Sequence, residues 1–354
     1  MNKPYDLIVY IGRFQPVHKG HLEVIKQAQS LSDNLLVLVG SKNSPRTPKN
    51  PWTYDERQWM LNVLMSMNGI EYIGVAGIRD HVYDDNAWIA EVGATVNNYA
   101  KERDAKKIAI IGHDKDHSSF YLNYFKQWDF IEAPGFPSDG ASIDATKIRQ
   151  LLFTGHKTFV KSVVPKAIYE YFTSSTIWDT PFLKSDEFAL LQQEWDYIQG
   201  YEAEWGKGPF ITADGLIIQS GHILLIERGE FPGNGLYAMP GGFVNPTERI
   251  RAAFLRESRE ETKVKVPLMV IDRAVDAYEM FDDPGRSLRG RIVTHVYRAT
   301  LDPAQDLPKI KGASDAKKAI WIPLGDFEGM ENVMFEDHYY IIKHMLSQPA
   351  REVR

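Results

Sequence analysis

The chain has 354 residues, no cysteine, 44% hydrophobic residues and a formal charge of −6. That length suits two domains, and that apolar content suits packed cores rather than bulk disorder. The lack of cysteine excludes disulfides, thiolate catalysis and cysteine-ligated zinc or iron–sulfur centres, and the acidic balance disfavours an extended nucleic-acid surface.

No apolar run reaches bilayer length, and Met1–Asp6 has no signal-peptide pattern. A soluble, cytoplasmic protein is expected, with neither membrane nor nucleic acid as partner; self-association is left open. The first apolar run, Leu7 to Ile11, precedes the loop Gly12-Arg13-Phe14-Gln15-Pro16-Val17-His18-Lys19-Gly20-His21. Leu22, Ile25 and Ala28 then share a helical face, so the segment reads strand, tight loop, helix. Loop N–H groups and a helix N-terminus both favour phosphate. His18 and His21, three apart, face one place and can donate to phosphoryl oxygens.

Leu35–Val39 and Ile108–Ile111 read as buried strands. Thr53-Tyr54-Asp55-Glu56 reads as a capping box opening a helix towards Met67. Trp88, Val92, Val96 and Tyr99 share another helical face, and Pro165 suits the first turn of a helix through Phe172. Such strand–helix alternation implies a parallel α/β sheet covered on both sides, over residues 1–172. Residues 173–206 read as a connector. From 207 to 354 the pattern changes to an α+β unit with a mixed sheet. Ile211–Gln219 and Ile223–Glu227 read as a hairpin around Ser220-Gly221, with further strands at Met269–Ala274, Ile292–Thr300 and Ala319–Ile322 and a helix over about Glu248–Thr262.

The His18–His21 loop resembles the H-x-G-H loop of the nucleotidyltransferases. With Gly12-Arg13-Phe14-Gln15-Pro16 it looks most like the archaeal-type nicotinamide mononucleotide (NMN) adenylyltransferases, which implies a Rossmann-like domain and ATP as substrate. Ser142-Ile143-Asp144-Ala145-Thr146-Lys147-Ile148-Arg149 resembles that family's I-S-x-T-x-x-R motif. The resemblance gives His18, His21 and Arg149 catalytic roles on the triphosphate, with Thr146 capping or touching phosphate. Asp144 stands where the family has serine; it is as good a helix cap, but its charge opposes a triphosphate unless Lys147, Arg149 or Mg²⁺ offsets it. Gly12, Arg13 and Phe14 join the ATP/NMN set. Arg46, Trp52 and Arg57 fall where the family binds the mononucleotide, with Trp52 either stacking on nicotinamide or packing in the core. Gly112, Lys115 and Asp116 follow a strand and would meet adenine, ribose or phosphate.

Gly242 to Glu248, then Arg256-Glu257-Ser258-Arg259-Glu260-Glu261-Thr262-Lys263-Val264, resembles the Nudix box, G-x5-E-x7-R-E-U-x-E-E-x-G-U. Every charged position matches; Ser258 replaces an aliphatic residue and Lys263 a glycine. Glu257, Glu260 and Glu261 share a helical face, where three carboxylates repel each other until cations bind. All-oxygen ligands favour Mg²⁺ or Mn²⁺, with the Gly242 carbonyl beside them. The resemblance implies catalysis by these glutamates and hydrolysis of ADP-ribose to AMP and ribose 5-phosphate. Arg289 or Arg291, in the loop Asp282–Arg291, would bind that substrate.

Together these resemblances imply a bifunctional enzyme of NAD metabolism, with Mg²⁺ or Mn²⁺ at both sites. Rival readings keep the folds but change the acceptor of the first domain, phosphopantetheine for instance, or give the second another nucleoside diphosphate derivative or a sensor role.

Overall fold

The apolar runs of the first half pair side by side. In the computed structural model, β1 (Leu7–Gly12), β2 (Leu35–Val39), β3 (Ile73–Gly77), β4 (Ile108–Gly112) and β5 (Asp129–Glu132) form one parallel sheet in the order β3-β2-β1-β4-β5. The structure describes residues 3–70, 73–113, 124–133, 137–138, 141–142, 144–175, 180–314 and 316–351. β2 is buried throughout, as expected of a strand covered on both faces. β3 and β5 carry no strong signal in sequence, being short and only partly buried or exposed.

Helices follow the strands: α1 (Lys19–Leu31), α2 (Tyr54–Met67) and α3 (Asp85–Lys101). α2 has the expected capping box, Thr53 Oγ1 accepting the Glu56 N–H at 3.3 Å while Glu56 Oε2 accepts the Thr53 N–H at 2.7 Å. α3 buries Val92 and Val96, with Trp88 and Tyr99 packed on the same core. A two-stranded ribbon, β6 (Pro137–Ser138) and β7 (Ala141–Ser142), precedes α4 (Ala145–Phe153), α5 (Lys157–Val163), α6 (Lys166–Thr173) and α7 (Asp186–Trp205).

The chain divides into two units, Met1–Gln192 and Gln193–Arg354. The segment read as a connector thus holds a 20-residue helix. Phe182 and Phe188, from that segment, pack into the first unit against Phe172 and Phe153.

The second unit is built on a mixed sheet. β8 (Phe210–Gln219) turns into β9 (His222–Arg228) through Ser220 and Gly221, both at positive φ, 47° and 71°, as a tight hairpin requires. β10 (Tyr237–Ala238) and β11 (Gly241–Phe243) lead to α8 (Ile250–Thr262). Then come α9 (Leu268–Arg273), β12 (Val275–Phe281), β13 (Ile292–Thr300), β14 (Ala316–Pro323), α10 (Leu324–Phe327) and α11 (His338–Ser347). β13 lies parallel to β8; the other pairings are antiparallel. Ala253 and Phe254 of α8 bury against Ala213 and Ile217 of β8.

One strand expectation is corrected. Met269–Ala274 belongs to the helix α9 and its C-terminal cap, opened by Pro267, and the strand begins at Val275. Only Met269, Val270 and Ile271 of that segment are consecutive apolar residues, before Asp272 and Arg273, and so short a run does not separate helix from strand.

Candidate active sites

The first site lies beyond the carboxyl ends of β1 and β4, where strand order reverses and open α/β sheets bind ligands. His18 is the N-cap of α1, and the two histidines form a capping box. His18 Nδ1 accepts the Gly20 N–H and His21 Nδ1 accepts the His18 N–H, both at 3.1 Å. With Nδ1 accepting, the hydrogen-bond pattern assigns the proton to Nε2, so Nε2–H is the donor edge of both rings. The rings lie 3.8 Å apart, centroid to centroid. Phe14, 1% exposed, backs His21 at 4.7 Å, so its ring supports the histidine rather than a ligand.

Arg149 is buried beside this loop. Its Nη1 donates to the Gln15 carbonyl at 2.6 Å and its Nη2 to Thr146 Oγ1 at 3.1 Å. Asp144 caps α4, accepting the Lys147 N–H at 2.7 Å. Burial, with the charge of Arg13 adding, pushes the Arg149 guanidinium down to about 10. Burial does the same to Arg57, also to about 10, with Asp80 opposing and Arg13 adding. Arg13 is exposed and its charge repels both Arg57 and Arg149, a cationic field suited to polyphosphate.

The structure places the three residues expected to meet the mononucleotide beside this loop. Trp52 is 1% exposed and stacks on Phe172 at 5.1 Å, so it packs in the core. Arg57 spends its guanidinium on four carbonyls, those of Thr53, Arg13, Gly40 and Ser41. Arg46 forms a two-pronged pair with Glu56, at 2.7 and 2.9 Å, and donates to the Pro51 carbonyl. These contacts hold the loop in shape. The amide of Gln15, not singled out in sequence, clips the loop to Trp52: Nε2 donates to its carbonyl at 2.8 Å and Oε1 accepts its N–H at 3.0 Å. Gly112 closes β4 at the same sheet edge; Lys115 and Asp116 lie outside the described residues.

The second site centres on α8. Arg256 grips Glu248 with two prongs, at 2.6 and 3.0 Å, and reaches Glu257 at 2.6 Å and Glu260 at 3.0 Å. The Arg256 hydrogen bond holds the Glu248 carboxyl down at about 2. Glu261 is buried and its Oε2 accepts the Gly241 N–H at 2.8 Å. At Gly242 a Cβ would sit 2.5 Å from Glu257 Oε1, so only glycine lets this carboxylate lie against the backbone. Among the described residues, no three carboxylate or imidazole groups stand close enough together to hold an ion as they are. Arg256 donates to Glu257 and Glu260, and Glu261 accepts from Gly241. The donor set, all oxygen and on one face, fits Mg²⁺ or Mn²⁺ that displaces Arg256 from its carboxylates.

Beside α8 a pocket is lined by Asp214, Arg228, Gly242, Phe243, Arg289 and Glu336, among others. Arg289 lies over the rings of Phe243 and Phe335, at 5.6 and 5.8 Å, and 3.8 Å from Glu336. Arg291 instead bonds the carbonyl and carboxylate of Asp282 in its own loop and does not line the pocket. Sequence reading passed over Arg286, which lines the pocket and forms a buried two-pronged pair with Asp337, at 2.9 and 3.0 Å. It also missed Asp214, a polar residue in an apolar strand; burial pushes its carboxyl up to about 6, though it accepts a hydrogen bond from Thr294. Lys263 replaces the family's glycine yet adopts the same left-handed C-cap, φ 46°.

Residues 209–345 match the NUDIX domain model and residues 9–129 the cytidylyltransferase-like model. A solved bifunctional NMN adenylyltransferase/ADP-ribose pyrophosphatase from Francisella tularensis, complexed with AMP and a manganese ion, superposes with a TM-score of 0.86 at 32% identity, covering 97% of this chain and 98% of that one. The chain belongs to this bifunctional family. Its first half is similar to the nicotinamide/nicotinic acid mononucleotide adenylyltransferase of Acinetobacter baylyi, 31% identical over 54% of this chain and 94% of that protein. Its second half is similar to the ADP-ribose pyrophosphatase of Methanocaldococcus jannaschii, 31% identical over 38% of this chain and 72% of that protein. Among the described residues no helix is long and apolar enough to cross a membrane.

Proposed function

We propose that the first unit joins NMN to ATP, giving NAD and pyrophosphate, and that the second hydrolyses ADP-ribose to AMP and ribose 5-phosphate. The observation that carries this reading is a likeness to one bifunctional enzyme over 97% of the chain, with a two-histidine phosphate loop in one unit and a Nudix carboxylate helix in the other.

In the first unit the Nε2–H groups of His18 and His21 donate to the triphosphate, Arg149 and Arg13 offset its charge, and Thr146 positions Arg149. An oxygen of the NMN phosphate attacks the α-phosphorus as the bond to the β-phosphate oxygen breaks, so pyrophosphate leaves. The protein's work is positioning and charge stabilisation. Gly12 and Gly112 allow close approach at the sheet edge.

In the second unit Glu257, Glu260 and Glu261, with the Gly242 carbonyl, would hold Mg²⁺ or Mn²⁺, which would supply charge neutralisation of the diphosphate and activation of water. Before a cation binds Arg256 keeps Glu257 and Glu260 in register, and Arg289 with Arg286 supplies positive charge to the pocket. Arg291, tied to Asp282, is left out of the substrate set.

The test is incubation of the full chain with Mg²⁺ and, separately, ADP-ribose or ATP plus NMN, with products resolved by chromatography. AMP with ribose 5-phosphate, and NAD with pyrophosphate, are the expected products. An unchanged substrate in either tube refutes that half of the reading.

A further inference from the structure

The hydrolase pocket has a wall that the Nudix helix does not supply. The turn leading into α11 is pinned to β10, the Phe335 N–H donating to the Tyr237 carbonyl at 2.8 Å. Phe335, Glu336 and His338 of this turn line the pocket together with Gly241 and Gly242. His338 begins α11 and is 5% exposed. Its Nδ1 accepts the Met239 N–H at 3.1 Å, tying α11 to the segment that carries Gly241 and Gly242.

That bond leaves the proton of the neutral ring on Nε2. Burial, with the charges of Arg286, Arg228 and Arg289 adding, holds the imidazole well below its usual value, so the ring is neutral near pH 7. Among the described residues the Nε2–H has no acceptor, although the side chain is nearly enclosed. A buried donor left without an acceptor destabilises a fold, so such a group is kept where something from outside the chain completes it.

The pocket points to the chemistry of that acceptor. Arg228 and Arg289 stand over the Phe335 ring at 4.2 and 5.8 Å, and the His338 ring lies 5.6 Å from it. Arg286 lines the same pocket. The carboxylates there already have partners: Asp214 accepts from Thr294, Asp337 accepts from Arg286, and Glu336 lies 3.8 Å from Arg289. A donor among these guanidiniums meets an anion, and the anion of the substrate is its diphosphate.

We infer that His338 binds the diphosphate of the hydrolase substrate, its Nε2–H donating to a phosphoryl oxygen while Nδ1 keeps its bond to Met239. The inference rests on the hydrolase reading above. It adds to the arginines a neutral donor, which orients an oxygen without adding charge.

Two amides separate the two ring nitrogens. His338→Asn can still accept the Met239 N–H through Oδ1, which stands near the place of Nδ1, but has no donor where Nε2 stood. His338→Gln carries an amide N–H to the place of Nε2 and leaves Met239 unpaired. KM and kcat for ADP-ribose at saturating Mg²⁺, and the thermal unfolding midpoint, are measured on the full chain. In His338→Asn KM rises about tenfold, the scale of one hydrogen bond to a charged group, with kcat within about threefold and the midpoint near that of the unaltered chain. In His338→Gln KM stays within about threefold, while the midpoint falls by roughly 2–4 °C because the Met239 N–H loses its acceptor. The reverse order, with KM raised in His338→Gln and not in His338→Asn, makes His338 a strut for Met239 only and overturns the inference. An unchanged KM in His338→Asn does the same. Where His338→Asn does not fold, His338→Gln decides: a preserved KM supports the inference and a rise of about tenfold overturns it. No turnover of ADP-ribose by the unaltered chain overturns the hydrolase reading and this inference with it.

Discussion

The two sites hold their functional side chains by opposite means. In the first unit the backbone does it: the histidines accept main-chain N–H groups, and Arg57 and Arg149 donate to main-chain carbonyls. In the second, side chain holds side chain, with Arg256 bridging Glu248, Glu257 and Glu260. Backbone anchoring gives a cationic site shaped before any ligand arrives. Side-chain anchoring gives an anionic site whose internal pairs must open when a cation binds. The first therefore depends on loop geometry and the second on charge balance.

The largest expected effects separate the two units. His18→Ala or His21→Ala lowers adenylyl transfer by roughly 10²–10³-fold and leaves ADP-ribose hydrolysis intact. Glu257→Gln or Glu261→Gln does the reverse on the same scale. Chelation by EDTA abolishes hydrolysis, and Mg²⁺ or Mn²⁺ restores it. Paired assays on each folded variant check this; loss of both activities from one substitution would break the contrast.

Arg57 tests the claim of backbone anchoring. Arg57→Lys keeps a charge but loses the fork that satisfies four carbonyls, and should cost about 3 kcal/mol of stability in the first unit. Adenylyl transfer should fall with it, because the Arg13 carbonyl is released. Denaturant unfolding followed by kinetics on the remaining folded fraction measures both. A stable variant with weakened NMN binding alone would return Arg57 to the ligand set.

Asp214 tests the charge balance of the second unit. Its carboxyl is raised to about 6, above the unfolded range, so the native state binds its proton more tightly than the unfolded chain. Above pH 6 the folded protein carries a buried charge at a cost of about 3 kcal/mol; below the unfolded pKa that cost vanishes. Asp214→Asn, which can still accept from Thr294, should therefore raise the unfolding midpoint of metal-free protein at pH 8. The gain should shrink as pH falls through 6 towards 4. A gain independent of pH would assign the effect to packing.

How much of this was legible in the sequence follows the same contrast. β2, β4, the α2 capping box and the Ser220-Gly221 turn announce themselves, because period and cap chemistry are local. So do the motif residues of both sites. What the sequence leaves open is which way a side chain faces once the chain has folded. Trp52 and Arg57 sit next to the phosphate loop, yet neighbours far along the chain, Phe172 and the Gly40 and Ser41 carbonyls, draw them inward. Arg286 and Arg289 share a loop with Arg291, and only Asp337, Glu336 and Asp282 decide which face the pocket.

The smallest expected effect concerns how α8 ends. Lys263 takes the left-handed conformation, φ 46°, that the Nudix pattern gives to glycine. An L-residue there meets a clash between Cβ and its own backbone, costing roughly 1 kcal/mol. Lys263→Gly should therefore stabilise the second unit by up to about 1 kcal/mol, less the extra freedom glycine gains when unfolded. Hydrolysis should not change, because Glu257 and Glu260 are set by Arg256 and Glu261 by Gly241, all upstream of the cap. Thermal unfolding and kcat/KM, measured side by side, check both halves. Should hydrolysis shift with the cap, the glutamates would take their positions from the helix end as well as from Arg256, and the sharp contrast between backbone-held and side-chain-held sites would soften.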